Sequence, residues 1–161
     1  MNHTGIVILA AGKSSRLGRI KQLLPYNGKT LLQHVIDEAA KANASPIVVV
    51  TGSNEAEVTG SISDKRVNLV FNKDWSEGMA SGIVTGVRKI NELDSSLEKI
   101  IITVCDQPFV IASIFEQLDQ AQLKCGKNII ASKYCNTKGT PVLFTSKYFS
   151  HLLKLQGDHD Q

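Results

Sequence analysis

The chain of 161 residues is long enough for one domain with a substantial hydrophobic core. Hydrophobic residues make up 42% of it and charged residues 20%, which is typical of a soluble globular protein. The net charge of +3 is too small to favour nucleic-acid binding, and no apolar run approaches the length of a membrane span. We therefore expect a single domain over residues 1–161 that binds neither nucleic acid nor membrane.

The cysteines and the first residues bear on the cellular compartment. Cys105, Cys125 and Cys135 are odd in number and form no C-x-x-C pair, and the four histidines show no zinc spacing. The N-terminus lacks the features of a signal peptide. These features predict a reduced, cytoplasmic protein.

Apolar β-branched runs alternate with amphipathic segments along the chain. Strands are predicted over about 5–9, 47–50, 67–71, 99–105, 128–132 and 142–144. Helices are predicted over 30–42 with Thr30 as N-cap, over 55–61, from 79, over 112–123 and from 146, with turns at Gly28 and at 138–141. The alternation predicts an α/β domain of three layers with a doubly wound, mostly parallel sheet.

The stretch from Leu9 to Pro25, which reads LAAGKSSRLGRIKQLLP, follows the first predicted strand. Small residues and cations combine there, so that an anion can approach the main chain closely at the carboxyl edge of the sheet. A Walker A loop is excluded because Val7 stands where its first glycine is required, and the G-x-G-x-x-G dinucleotide motif is absent. The stretch predicts a phosphate-binding loop; the alternative is a strand-to-helix turn with incidental basic residues.

Two further turns are predicted at the same edge, over 51–54 and 72–82. Gly78 and Gly82 disfavour a helix start, which suggests that they have another purpose. Met79 begins an apolar stripe at helical spacing, which is more typical of a hydrophobic core than of a binding surface. Trp75 is interpreted as an ordinary packing residue.

Asp106 directly follows the strand predicted over 99–105 and precedes Gln107-Pro108. A carboxylate in this position lies at the carboxyl edge of the sheet, facing the loop at Gly12. Carboxylate is a preferred ligand of Mg²⁺, so Asp106 is the candidate metal ligand. The alternative is that Asp106 caps the next helix.

The opening pattern, A-A-G-x-S-x-R-x-G followed by K-x-L-L-P, resembles that of nucleotidyltransferases. The whole chain is similar to the molybdenum-cofactor nucleotidyltransferase family, and most similar to its CTP:molybdopterin cytidylyltransferase branch. Asp106-Gln107-Pro108 and Gly139-Thr140-Pro141 favour that branch. The guanylyltransferase branch has two glycines after its first alanine, where this chain has Ala11-Gly12, and the D-x-A-R-P segment of methylerythritol phosphate cytidylyltransferases is absent.

The resemblance implies a Rossmann-like nucleotidyltransferase fold and transfer of a cytidylyl group from CTP to molybdopterin, with Mg²⁺ as cofactor and release of pyrophosphate. Arg16 and Lys21 are the expected catalytic cations, since a planar fork and a compact charge both suit a triphosphate. The expected nucleotide-binding residues are Leu9, Ala10, Ala11, Gly12, Lys13, Ser14, Thr51, Gly52, Asn72, Gly78, Met79 and Ser81.

Other interpretations remain open. The acceptor could be a sugar phosphate or another alcohol phosphate, or the protein could be a maturation factor that binds the cofactor without turnover. A molybdenum hydroxylase is a candidate partner. Relatives in the family continue beyond the Gly157-Asp158 block with another strand and an acidic segment that can supply a second metal ligand. We therefore expect that this chain lacks that C-terminal segment, and we interpret Asp158 and Asp160 as surface carboxylates.

Overall fold

The computed structural model describes residues 3–11, 20–134 and 137–156. Its strands and helices follow one another along the whole described chain. In order they are β1 (Thr4–Ala10), β2 (Pro25–Tyr26), β3 (Lys29–Thr30), α1 (Leu31–Lys41), β4 (Ile47–Thr51), α2 (Glu55–Gly60), β5 (Val67–Phe71), α3 (Met79–Leu93), β6 (Lys99–Val104), α4 (Ala112–Cys125), β7 (Ile129–Tyr134), β8 (Thr137–Thr145) and α5 (Phe149–Leu152).

Six strands form one sheet in the order β5-β4-β1-β6-β8-β7. The first four are mutually parallel, β8 runs antiparallel to β6, and β7 pairs with β8 as an antiparallel hairpin. Helices α1, α2 and α4 pack on one face, and α3 and α5 pack on the other. The predicted α/β class with a mostly parallel, doubly wound sheet is confirmed.

The apolar runs form the central strands, which are buried between helices on both faces of the sheet. All seven residues of β1 are buried, because β1 lies at the centre of the sheet with helices on both faces. Successive residues point to opposite faces, so Ile6 and Ile8 join one core cluster and Val7 joins the other. Helix α3 approaches β1 so closely that a Cβ on Gly86 would lie 2.4 Å from Val7 Cγ1.

A short hairpin, β2–β3, leads into α1. Asn27 and Gly28 both have positive φ angles, 50° and 81°, which is the geometry of a two-residue hairpin turn. The backbone N–H of Gln33 donates to Thr30 Oγ1 at 3.0 Å, so the predicted N-cap of α1 is confirmed. The sequence analysis predicts the turn at Gly28 but not the strands beside it, which are only two residues long each, although Asn27-Gly28 is a typical hairpin turn.

The predicted turn at 138–141 is wrong, because these residues belong to β8. The ladder between β7 and β8 shifts register between Ala131 and Ser132, and Ser132 Oγ donates to the carbonyl of Pro141 at 2.6 Å. Proline has no N–H for a ladder bond, so the strand passes Pro141 as a bulge and not as a chain reversal. In the part of the chain that is described, no helix has the length and apolarity that crossing a membrane would take.

Candidate functional site

A large cleft opens at the carboxyl edge of the sheet, where β1, β4 and β6 end. We call it the carboxyl-edge cleft; its polar end is lined by Ala11, Lys21, Gly78, Met79, Asp106 and Thr140. In a sheet with this strand order the carboxyl edge is where ligands bind, since loops of neighbouring parallel strands converge there. The cleft coincides with the edge that the sequence predicts to be the site.

Lys21 and Asp106 meet at this edge although 85 residues separate them in the chain. Lys21 Nζ donates to Asp106 Oδ2 at 3.3 Å, and the two side chains are 40% and 37% exposed. Lys21 begins a 3₁₀ turn whose next residue, Gln22, is buried and donates from Nε2 to the carbonyl of Ala10 at 2.8 Å. The end of β1 thus holds the turn that carries Lys21, and the cation is placed beside the carboxylate.

The predicted phosphate-binding loop is described only at its two ends. Gly12, Lys13, Ser14 and Arg16 lie outside the described residues. Leu9 and Ala11 line the cleft, and Ala10 is buried in the sheet. The roles predicted for the loop residues stay predictions.

The alternative in which Asp106 caps α4 is wrong. The N-cap of α4 is Ile111, which has extended backbone and makes no side-chain cap bond. The backbone N–H of Ala112 instead donates to Oε1 of Glu38, on α1, at 2.9 Å. A carboxylate from another helix therefore caps α4, and the Asp106 carboxylate points to Lys21.

The donor set at Asp106 is compatible with Mg²⁺ carried by a nucleotide. Within residues 3–11, 20–134 and 137–156, no three His, Cys, Asp or Glu side chains converge on one point. Mg²⁺ commonly binds to one or two carboxylates, with substrate phosphates and water completing its shell. One partly exposed carboxylate at the mouth of a cleft fits that mode and does not fit a metal cage made only of protein groups.

The turn over 72–81 is held by its own side chains. Asn72 is 2% exposed; its Nδ2 donates to Ser81 Oγ at 2.8 Å, and its Oδ1 accepts from the N–H of Asp74 at 3.0 Å. The Ser81 hydroxyl can donate to the carbonyl of Gly78, at 2.8 Å. In this arrangement Asn72 and Ser81 shape the turn. Asn72 also lines the cleft, together with Gly78, whose φ is 109°, and the 40% exposed Met79.

Gly52 lies where two loops of the carboxyl edge touch. A Cβ on Gly52 would lie 2.6 Å from the Cβ atoms of both Ala11 and Trp75, so only glycine allows this approach. Trp75 is half-buried and lines the cleft, so it both packs against Gly52 and faces the site. Thr51 is buried and its hydroxyl donates to the carbonyl of Val70 at 3.3 Å, which directs it into the sheet.

Cys105 is adjacent to Asp106 but is unsuited to nucleophilic catalysis. Burial, together with the charge of Asp106, raises the pKa of the Cys105 thiol to about 12. The thiol is therefore protonated at neutral pH, and the thiolate is the nucleophilic form. The chemistry of this edge is that of fixed charges and backbone groups.

The cleft also extends along β8 and β7, away from Asp106 and towards the amino end of β6, where Phe144 pairs with Ile100. Val142, Phe144 and Ile129 line it from the sheet. Phe144 stacks on Tyr148 with ring centroids 5.4 Å apart, and Tyr148 stacks on His151 at 4.7 Å. We call this extension the ring arm, defined by Phe144, Tyr148 and His151. Sequence reasoning missed it, because the three residues lie at the end of β8, in the following 3₁₀ turn and in α5 and share no motif.

Sequence reasoning also missed Gln22, His34 and Glu38. Gln22 lies within the quoted K-x-L-L-P block, which was the one available signal. His34 and Glu38 lie on α1 and reach residues 74 positions away, which no local pattern indicates.

Comparison with known proteins gives a consistent assignment. Residues 6–161 match the family described as MobA-like NTP transferase domain. The nicotine blue oxidoreductase of Paenarthrobacter nicotinovorans is 34% identical over 103 residues, which are 63% of this chain and 48% of that protein. The bifunctional protein GlmU of Francisella philomiragia is 32% identical over 115 residues, 70% of this chain and 24% of that one. The chain thus spans about half of the first relative and about a quarter of the second.

A solved structure covers more of the chain. The Rv0371c protein of Mycobacterium tuberculosis H37Rv superposes with a TM-score of 0.83 and 26% identity, over 98% of this chain and 78% of that one. The same protein was also solved in complex with manganese. With the fold, the carboxyl-edge cleft and the match over residues 6–161 in agreement, the chain belongs to the MobA-like NTP transferase family, within the molybdenum-cofactor nucleotidyltransferases.

Proposed function

We propose that the protein is a nucleotidyltransferase that transfers a cytidylyl group from CTP to molybdopterin, or to a molybdenum-bearing form of it. The observation that carries the proposal is the meeting of Lys21 and Asp106, 3.3 Å apart at the carboxyl edge of a MobA-like domain. A cation and a carboxylate side by side suit a triphosphate and its divalent metal, because the reaction is governed by positioning and charge.

The reaction balances without any further co-reactant. An oxygen of the acceptor phosphate forms a bond to the α-phosphorus of CTP, the bond from that phosphorus to the bridging oxygen breaks, and pyrophosphate leaves with the electron pair. Lys21 would offset negative charge on the triphosphate, and Arg16 would act from the loop before it. Asp106 would hold Mg²⁺, whose charge further neutralises the phosphates when it is bound.

The other predicted residues divide into two groups in this proposal. Gly78 and Met79 would receive the nucleoside, because both line the cleft, and Gly52 would allow Ala11 and Trp75, which also line it, to approach each other closely. Asn72 and Ser81 would act by holding the turn in shape. The preference for CTP is supported by the resemblance of the opening loop and of the Asp106-Gln107-Pro108 segment to the cytidylyltransferase branch.

The acceptor assignment is supported by the resemblance of the chain to the molybdopterin cytidylyltransferase branch. The ring arm does not bear on it, because Phe144 pairs with Ile100 near the amino end of β6, at the opposite end of that strand from Asp106. The similarity to GlmU favours a second candidate, the same transfer to another phosphorylated acceptor such as a sugar phosphate. We further propose a cytoplasmic location, a single domain over residues 1–161 and a molybdenum hydroxylase as recipient of the product.

Nucleotide binding and turnover test the proposal separately. Thermal-shift titrations with CTP, GTP and ATP, each with Mg²⁺ or Mn²⁺, should show the largest stabilisation with CTP and metal. Pyrophosphate release should then require both CTP and molybdopterin. Equal or tighter binding of GTP would reverse the nucleotide assignment. Pyrophosphate release from CTP with a sugar phosphate, but not with molybdopterin, would favour the second candidate. Nucleotide binding without pyrophosphate release would indicate a maturation factor.

A further inference from the structure

Asp106 stands at the start of a segment without regular secondary structure, residues 106–111, between β6 and α4. Within it, the N–H of Val110 donates to the carbonyl of Gln107 at 3.0 Å. From the sheet, Thr140 Oγ1 donates to Gln107 Oε1 at 3.1 Å. The position of Asp106 therefore depends strongly on contacts from neighbouring elements.

Such a contact comes from His34 on α1. Its Nε2 lies 2.8 Å from the carbonyl oxygen of Pro108, two residues after Asp106. A carbonyl oxygen only accepts, so this bond requires a proton on Nε2. The imidazole is half-buried, and the ring of Tyr26 meets it edge-on with centroids 4.8 Å apart, which fixes its orientation.

Helix α1 is joined to both partners of the Lys21–Asp106 pair. On one side, the N–H of Leu31 donates to the carbonyl of Leu24 at 2.9 Å, directly after the 3₁₀ turn that carries Lys21. On the other side, His34 holds Pro108, and Glu38, one helical turn later, holds Ala112. The two ends of the segment after Asp106 are thus attached to the same helix face.

We infer that His34 is a positioning residue: its Nε2–H, bonded to the carbonyl of Pro108, sets the segment that carries Asp106 against Lys21. The imidazole bonds to the backbone of this segment and acts through it on the carboxylate. The effect on the segment stands on the geometry alone, whereas the effect on catalysis rests on the proposed nucleotidyl transfer.

The chain offers a matched pair of variants. In His34→Gln the side-chain amide nitrogen is as many bonds from the backbone as Nε2, so it can donate to the same carbonyl. In His34→Asn the amide nitrogen corresponds to Nδ1 and is too short to reach. His34→Ala removes the imidazole altogether. If this variant does not fold, the comparison between His34→Gln and His34→Asn still tests the inference.

The first readout is hydrogen–deuterium exchange of the full chain without nucleotide. The amides of Val110 and Ala112 should exchange about five- to tenfold faster in His34→Asn than in the wild type, since loss of one hydrogen bond shifts an opening equilibrium by roughly this factor. His34→Gln should restore most of the protection. Unchanged exchange in His34→Asn, or equal exchange in the two amide variants, would overturn the inference.

The second readout is turnover with CTP and Mg²⁺. His34→Asn should lower kcat by about ten- to a hundredfold, because a misplaced group near the reacting phosphates costs rate, with a small change in KM for CTP. His34→Gln should recover the rate. A parallel loss of melting temperature and rate, without rescue by Gln, would show a merely structural role. Failure of the wild type to bind any nucleotide would overturn the proposed function, and the exchange result would still decide the placement of the segment.

Discussion

Strand β6 has a Lys–Asp pair at each end, and the two pairs differ in almost every respect except composition. At its amino end Lys99 Nζ donates to Asp119 Oδ1 at 2.9 Å, with both side chains under 10% exposed. Thr4 Oγ1 donates to the same carboxylate oxygen at 3.3 Å. At its carboxyl end Asp106 meets Lys21 at 3.3 Å, and both side chains are more than a third exposed.

The difference separates a structural pair from a pair suited to a ligand. A buried pair cannot lose one partner without leaving an unpaired charge in the core, so Lys99 and Asp119 hold α4 to the sheet. An exposed pair contributes little to stability, because solvent screens it. Lys21 can therefore release Asp106 to bind a phosphate, and Asp106 can bind a metal ion, with little loss of stability.

The largest expected effect is on stability at the amino edge. Asp119→Ala should lower the free energy of unfolding by about 3–5 kcal/mol, because Lys99 would be buried without its carboxylate. Urea unfolding followed by circular dichroism measures this. Asp106→Ala is the matched control and should change stability by less than about 1 kcal/mol. Equal losses in both variants would show that the two pairs do not differ as described.

The next effect is on rate at the carboxyl edge. Lys21→Ala should lower kcat by about 10²–10³, the usual cost of removing one group that stabilises transition-state charge, with little change in stability. Arg16→Ala is expected to behave alike. The control is Lys29→Ala, since Lys29 is similarly exposed and pairs with Asp37 away from the cleft. A near-normal rate in Lys21→Ala would remove Lys21 from the mechanism.

The role of Asp106 can be tested by measuring how the rate depends on the Mg²⁺ concentration. Asp106→Asn should raise the Mg²⁺ concentration for half-maximal rate by about tenfold or more, since the amide is a poorer ligand for a hard cation. Melting temperature should be unchanged, because Asp106 makes no cap bond to α4. An unchanged Mg²⁺ requirement with an unchanged rate would contradict the metal-ligand role.

Helix α3 contains a similar contrast between a glycine required by packing, Gly86, and a glycine with room for a side chain, Gly82. Gly86→Ala should destabilise by about 1–3 kcal/mol, because the new methyl would meet Val7 Cγ1 at 2.4 Å. Gly82→Ala should stabilise by up to about 1 kcal/mol, because the new methyl would meet its nearest atom, on Leu9, at 3.5 Å. If Gly82→Ala is more stable but binds CTP less well, then glycine is required there by the ligand and not by packing.

The smallest effect is a pH dependence at the Glu38 cap. Burial raises the pKa of Glu38, but the N–H of Ala112 and the nearby Lys41 outweigh it and hold the pKa below its usual value. The stabilisation is therefore present above the ordinary pKa near 4.5 and is lost as the pH falls through the lowered pKa. By urea unfolding, Glu38→Gln should cost about 0.3–1 kcal/mol at pH 7 and progressively less as the pH falls below 4.5. A constant difference across that range would contradict this.

From local sequence patterns one can predict the layered α/β class, the N-cap at Thr30 and the edge at which Lys21 and Asp106 meet. These follow from local patterns: buried β-branched runs form strands, and loops after parallel strands converge at one edge. The opening motif and the Asp106-Gln107-Pro108 segment were enough to indicate the family, because such residues are selected for chemistry at fixed spacing.

Three features depend on how the whole chain packs: how Pro141 is accommodated in β8, which carboxylate caps α4, and what holds the segment after Asp106. The sequence pattern predicted a turn at Pro141 and left open a cap at Asp106, since both are sound local inferences. The Glu38–Ala112 and His34–Pro108 bonds join residues 74 positions apart. Such bonds depend on how α1 packs beside α4, and packing is a property of the whole core that no short stretch of sequence encodes.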